Sequence, residues 1–224
     1  MSADRPLRVE RLYRFYRAGE EETLALRGVS LQVSAGEFLA VTGPSGSGKT
    51  TLLSCVAGTD EPSGGTIWIA GHRMSHRPAA VRARLRGRHL GLVAQENNLF
   101  DHLSVIQNVR LAQRLGAADR RQVPASLDLL DQLGLGGRAG DVPARLSSGE
   151  LARAGLAVAL ANAPDLVVAD EPTGELDQAT EDDVLTLLRS CADRGTAVLV
   201  SGHSDAVRRT ADRVLTLADG VMQP

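Results

Sequence analysis

Gly43-Pro44-Ser45-Gly46-Ser47-Gly48-Lys49-Thr50 fits the spacing G-x-x-x-x-G-K-[ST]. It lies between the continuously apolar Phe38-Leu39-Ala40-Val41, which reads as a buried strand, and Lys49 to Ala57, which reads as a helix stopped by Gly58. That strand–loop–helix context gives the pattern its meaning. Glycines let the backbone wrap a phosphate chain so that several N–H groups and the helix N-terminus point at it. Lys49 can then reach terminal phosphates, and the Thr50 hydroxyl is placed to bind Mg²⁺. Composition singles out the same position: twenty-four of the 25 basic residues are arginine, and Lys49 is the one lysine of the chain. A compact ammonium kept where guanidinium is used everywhere else points either to a site that needs a flexible point charge or to codon bias and chance, and the neighbouring motif favours the first.

Working outward, Val29, Leu31 and Val33 alternate as a half-buried strand before the turn Ser34-Ala35-Gly36-Glu37. Thr66-Ile67-Trp68-Ile69 is a further strand, ended by Ala70-Gly71. The middle third, about 96–160, reads as mostly helical, with Leu127, Leu129, Leu130 and Leu133 before the Gly134-Leu135-Gly136-Gly137 breaker and Leu151 to Leu160 after Ser147-Ser148-Gly149. Leu166-Val167-Val168-Ala169 and Ala197-Val198-Leu199-Val200 return to buried strands, with a helical pattern at 180–192 between them. Strands alternating with helices predict an α/β fold on a mostly parallel, doubly wound sheet, with chemistry at the carboxyl ends of its strands. Those ends are Thr42, Asp170 and Ser201. Asp170-Glu171 would place one carboxylate to hold a hydrated Mg²⁺ and the next to polarise a water, and Ser201-Gly202-His203 sets a histidine at the third end.

With 224 residues, 43% hydrophobic and 23% charged, the chain closes one core without disulfides or a structural metal. Cys55 and Cys191 are too few for a disulfide framework or zinc cluster, so a reducing, cytosolic compartment is expected. No apolar stretch approaches the ~18–20 residues that span a bilayer, so no membrane insertion is expected. A net charge of −2 gives no argument for nucleic acid as a partner. Charge is nonetheless segregated: 71–89 holds Arg73, Arg77, Arg82, Arg84, Arg86 and Arg88 without an acid, while 165–183 is acidic without a base. The basic run reads either as a solvated helix face or as a contact with lipid headgroups or a partner.

Together these motifs resemble the nucleotide-binding subunit of an ATP-binding cassette (ABC) transporter. The marker of that family, a Leu-Ser-Gly-Gly-Gln/Glu signature, stands here as Leu146-Ser147-Ser148-Gly149-Glu150. The other elements follow the family order: the phosphate loop, Gln95 in Gly91-Leu92-Val93-Ala94-Gln95, Leu166 to Glu171, Gly174-Glu175-Leu176-Asp177 and His203. Ala169 to Gly174 and Leu99-Phe100-Asp101-His102-Leu103-Ser104-Val105 are similar to the subgroup of lipoprotein-releasing, macrolide-export and cell-division ATPases.

The resemblance implies a P-loop NTPase over 1–224, with a RecA-like core sheet, an N-terminal antiparallel β subdomain and an inserted helical subdomain. It implies ATP and Mg²⁺, and a head-to-tail homodimer with two composite ATP sites. Nucleotide would be bound by Gly43, Pro44, Ser45, Gly46, Ser47, Gly48, Lys49, Thr50 and Thr51 of one subunit and by Ser147, Gly149 and Glu150 of the other. Tyr16, spaced from Gly19 as in the family, would stack on adenine, while Tyr13 and Phe15 are expected to pack. Thr50, Gln95 and Asp170 would serve Mg²⁺, Glu171 would be the general base, His203 would contact the γ-phosphate, and Asp177 would link the two sites. The chain would sit in the cytoplasm at the inner face of the membrane, powering an integral membrane permease, with Gln95, Asn97, Asn98, Leu99, Phe100 and His102 as the docking surface. Two alternatives carry the same motifs: ATP-driven mechanotransmission without transport, and a catalytically weakened regulator. The chain departs from the family pattern at Ser148, Leu151, Ala152, Val158, Glu175 and Gly202, and the Cβ of Ser148 is expected to slow the enzyme.

Overall fold

The computed structural model describes residues 5–18, 21–95, 98–116 and 123–223. Gly19 and Asn97 lie outside them. Strands β3 (Phe38–Thr42), β7 (Leu166–Asp170) and β8 (Ala197–Ser201) end at the three residues named from sequence. With β6 (Leu90–Val93), β9 (Arg213–Ala218) and β10 (Val221–Met222) they form a sheet in the order β10-β9-β3-β8-β7-β6. All its pairings are parallel except the closing β9–β10 hairpin.

Both faces of this sheet are covered, which is why its strands read as unbroken apolar runs. Period-two alternation divides each run between two cores. Phe38, Ala40, Val167, Ala169, Val198 and Val200 face one core, shared with α3 (Val105–Leu115), α4 (Ser126–Gln132), α5 (Ser148–Leu160) and α6 (Gln178–Asp193). Leu39, Val41, Leu166, Val168, Ala197 and Leu199 face the other, against α1 (Lys49–Ala57). Beyond α1 lies a second, antiparallel sheet, β2-β1-β4-β5, from β1 (Leu7–Ala18), β2 (Glu21–Val33), β4 (Gly64–Ile69) and β5 (His72–Arg73). The described elements between β6 and β7 are α3, α4, α5 and two short 3₁₀ turns.

Several boundaries depart from the sequence reading, each for a local reason. α5 starts at Ser148 rather than Leu151, because Ser147 and Glu150 form a reciprocal capping box that brings the glycine-containing start into the helix. The N-terminal aromatic stretch is one long strand, β1, whose alternation is masked by bulges in its pairing with β2. Of the two aromatics expected to pack, Tyr13 (39% exposed) lies against Gly28 and Gly64, whereas Phe15 is 43% exposed. β9 (RVLTLA), whose apolar run is interrupted by Thr216, and the two-residue β10 were not read as strands from sequence.

The Asp219-Gly220 turn of the β9–β10 hairpin matters beyond its size. Gly220 sits at φ +75°, its N–H donates to the Ser47 carbonyl (3.1 Å), and its own carbonyl accepts from Arg27 N–H (2.8 Å). A Cβ there would lie 2.6 Å from the Ala25 carbonyl oxygen. The turn therefore stitches the phosphate loop to β2. Gly220→Ala is expected to cost roughly 1–3 kcal/mol through backbone strain, read as a lowered thermal midpoint by circular dichroism. Gly71→Ala, at φ +80° but facing open space, should lower it less. Equal midpoints for the two variants would mean the turn bears no packing load.

Candidate functional site

The loop after β3 and the first turn of α1 form the floor of a cleft of about 680 Å³. Ser45 to Thr51, Gln95 and Glu171 line it together with Thr23, Leu24, Ala25 and Arg27 of β2 and the Asp219-Gly220 turn. The β2 and hairpin residues were not legible from sequence, because only sheet packing brings them there. α1 begins at Gly48 with no side-chain cap and no acid in its first turn, so its N-terminal field is available to an anion. The Ser47 hydroxyl is buried without a hydrogen-bond partner among the described residues. An orphaned donor beside an uncapped helix start is a cradle suited to phosphate oxygens.

Lys49 is 7% exposed, and its ammonium donates to the carbonyls of Gly43 (2.9 Å) and Pro44 (3.1 Å). It also lies 3.8 Å from Glu171 Oε1, while His203 Nδ1 stands 3.9 Å from Glu171 Oε2. One carboxylate is thus flanked by an ammonium and an imidazole drawn from three strand ends. Glu171 occupies φ +45°, a strained backbone position of the kind held at working sites by the surrounding structure. What holds it is Ser201: its carbonyl and hydroxyl both accept from the Glu171 N–H (3.2 and 3.0 Å), and that hydroxyl donates to Asp170 Oδ1. Asp170 keeps its second oxygen without a partner among the described residues.

Glu181 is a residue that sequence reasoning passed over. Its Oε1 accepts from Thr173 (2.9 Å) and from Ser204 (2.7 Å), tying the loop of Glu171 to the loop of His203. The only sequence signal was its place in the acidic run.

Tyr16 does not line the cleft. Its hydroxyl donates to Asp60 Oδ2 (2.6 Å), Arg14 grips the same carboxylate through Nε (2.9 Å) and Nη2 (2.7 Å), and the Arg14 guanidinium lies 4.4 Å from the Tyr16 ring centre. Burial pushes the Tyr16 phenol up, and its bond to Asp60 adds to the shift. Burial also opposes charge on Asp60, but the hydrogen bonds from Tyr16 and Arg14 outweigh it and hold that carboxyl below its ordinary range.

The signature residues Ser147, Gly149 and Glu150 do not line the phosphate-loop cleft. Ser148 instead lines a second groove, of about 660 Å³, with Gln95, Asn98, Leu99, Leu151, Ala152, Glu171 and Glu175. Gln95 and Glu171 belong to both clefts. The start of α5 is closely built: Ser147 Oγ accepts from Glu150 N–H, and a Cβ on Gly149 would meet Thr180 Cγ2 at 2.7 Å. The Ser147 N–H (2.8 Å to Oε2) and Arg138 Nε (2.8 Å to Oε1) pull the Glu150 carboxyl down to about 2.

That depressed carboxyl predicts a pH signature. A group lowered from its ordinary 4.5 to about 2 contributes stability above 4.5 and loses it as pH falls toward 2. Glu150→Ala should therefore be less stable than the parent at pH 7, with the difference vanishing between pH 4.5 and pH 2. A stability difference that persists unchanged below pH 2 would show that the carboxylate is not its source.

With this geometry in place, comparison is informative. Residues 26–174 match the family model described as ABC transporter. The chain is 40% identical over 220 residues to the lipoprotein-releasing system ATP-binding protein LolD of Gluconobacter oxydans (strain 621H), covering 97% of this chain and 95% of that protein. It is 37% identical over 208 residues to the macrolide export ATP-binding/permease protein MacB of Salmonella paratyphi A (strain ATCC 9150 / SARB42), covering 92% of this chain and 32% of that protein. A solved dimeric structure of a bacterial ABC transporter cassette superposes with a TM-score of 0.87 at 30% identity, covering 97% of both chains. The same cassette is also known as a dimer in a post-hydrolysis state bound to ADP and Pi, again at 30% identity and a TM-score of 0.87.

Proposed function

The chain belongs to the ABC transporter ATPase family, and on that premise we propose that it is the ATP-hydrolysing subunit of an exporter, working through an integral membrane partner. The observation that carries the reading is the Glu171 carboxylate set between Lys49 and His203 at the mouth of the phosphate-loop cleft. Lys49, released from the Gly43 and Pro44 carbonyls, pairs with the terminal phosphates, and Ser47 and the α1 N-terminus receive phosphate oxygens. Glu171 takes the proton of the attacking water, and His203 meets the γ-phosphate. Mg²⁺ carried with the nucleotide neutralises phosphate charge. Thr50, Gln95 and Asp170 would hold it, since hydroxyl, amide and carboxylate oxygens are the hard donors it takes. Tyr16, braced by Asp60 and Arg14, offers its ring to adenine.

The second ATP-contacting surface, Ser147, Gly149 and Glu150, comes from a partner copy; their absence from the lining of the phosphate-loop cleft and the dimeric cassette among the similar structures support this. Asp177 joins the two sites. Among the described residues no helix is long and apolar enough to cross a membrane, and the integral membrane partner holds the chain at the inner face of the cell membrane. The groove holding Gln95, Asn98 and Leu99 receives it, with Phe100 exposed at its approach. Export is supported by the release and export systems named for the relatives.

Glu171→Gln is expected to bind ATP and accumulate as a closed dimer on size exclusion, while steady phosphate release with the partner falls by at least about a hundredfold. Release that matches the parent would remove Glu171 as general base. Separately, changing Leu99 and Phe100 to Asp should uncouple co-purification with the membrane subunit while leaving nucleotide binding intact. Retention of the complex would place the docking surface elsewhere.

A further inference from the structure

Helix α2 (Ala79–His89) has two faces with different duties. Its inner face is committed: Arg82 pairs with Glu61, Arg86 donates to the carbonyls of Ala57 and Gly58 at the end of α1, Leu85 packs against the core and His89 is buried. Its outer face, Val81, Arg84 and Arg88 at i, i+3 and i+7, is exposed. The helix then runs directly against the end of α3. A Cβ on Gly87 would lie 3.2 Å from the Gly116 Cα, so α2 meets the end of α3 there, and α3 carries the exposed Arg110, Arg114 and Leu115. Leu115 is 74% exposed. The four arginines of this surface make no ion pair among the described residues. In sequence, Pro62 to Gln95 contains neither Asp nor Glu, and α3 contains none.

We propose that this α2–α3 surface adsorbs to the anionic phospholipid headgroups of a bilayer. Charge complementarity commits it to an anion, since a chain of net charge −2 has gathered acid-free arginines on two neighbouring helices. The form of the patch selects lipid over a folded acidic partner. None of its residues lines either cleft, so it is an outward face rather than a groove. Val81 and Leu115 sit among guanidiniums that can meet phosphates bidentately, the pairing of basic and apolar groups that suits the headgroup boundary. A phosphate backbone of nucleic acid would leave Leu115 facing a hydrated, charged surface. The ATP site supplies none of these residues, so the proposal stands or falls without it.

The test uses the full purified chain and sedimentation with vesicles of phosphatidylcholine alone or of equal parts phosphatidylcholine and phosphatidylglycerol. The parent is expected to sediment with the anionic vesicles only, and less as salt is raised. The triple variant Arg84→Gln, Arg88→Gln, Arg114→Gln should lose roughly a hundredfold in partition, at about fivefold per arginine. Leu115→Asp, a single exposed change, should lose binding as well. A control with the same charge removed elsewhere, Arg194→Gln, Arg208→Gln, Arg209→Gln, should bind as the parent does. Equal sedimentation with neutral and anionic vesicles, an equal loss in the control, or duplex DNA binding as tightly as the anionic vesicles would each overturn the proposal.

Discussion

β3 is hydrogen-bonded in parallel on both edges, to β9 and to β8, and the placement of every group in the site follows from that. The pairing is in close register: Val41 opposes Ser201, Thr42 opposes Thr216, and Asp170 opposes Ser201 across the next ladder. Three strands therefore end at one level, and the chain must turn at all three in the same place. The turn after β3 becomes the phosphate loop, the one after β7 presents Glu171, and the one after β8 presents His203. A one-residue slip of β7 would point Glu171 to the opposite side and exchange its two cores. Because Val167 and Ala169 fill one core and Leu166 and Val168 the other, that slip would exchange side chains of different size between two packed cores and misfit both.

Much of this was legible in the residues because it is local. The strand runs, the loop spacing and the three strand ends each need only a few consecutive positions to be seen. What was hidden depends on pairing between distant segments. Arg27 and Gly220 are 193 positions apart yet share a hydrogen bond under the phosphate loop, and no local pattern announces it. Glu181 looked like one acid among eight until the fold brought Thr173 and Ser204 to the same oxygen. The misreading of Phe15 has a different origin. An aromatic on a strand of a sheet with one open face is not obliged to be buried, and alternation broken by bulges gave no way to choose its side.

The segregation of charge along the chain takes on spatial sense in the fold. The acidic run supplies the strand-end carboxylates Asp170 and Glu171, the Asp177 cap of α6 and the Glu181 clasp, so half of its eight acids are used in building the loops of the site. The basic run divides differently. Arg82 and Arg86 cap or brace α1 from behind, while Arg84 and Arg88 have no structural duty among the described residues. Two arginines of one helix are thus structural and two are surplus to the fold.

The same distinction bears on the altered signature. At the start of α5, a Cβ on Gly149 would force the Thr180 methyl, 2.7 Å away, to shift, and Ser147 and Glu150 form the capping box, so the chain itself favours all three residues. Ser148 is exposed, and its side chain takes no part in that box. No described residue of the same subunit therefore resists a serine in place of glycine there, and the cost of the substitution falls on whatever docks against this helix start. A docking phosphate would meet the Ser148 hydroxyl beside the N-terminal N–H groups of α5, so the side chain that crowds the approach also brings a donor to it. Crowding and donation act in opposite directions on affinity, and the exposure of Ser148 leaves its rotamer free to favour donation.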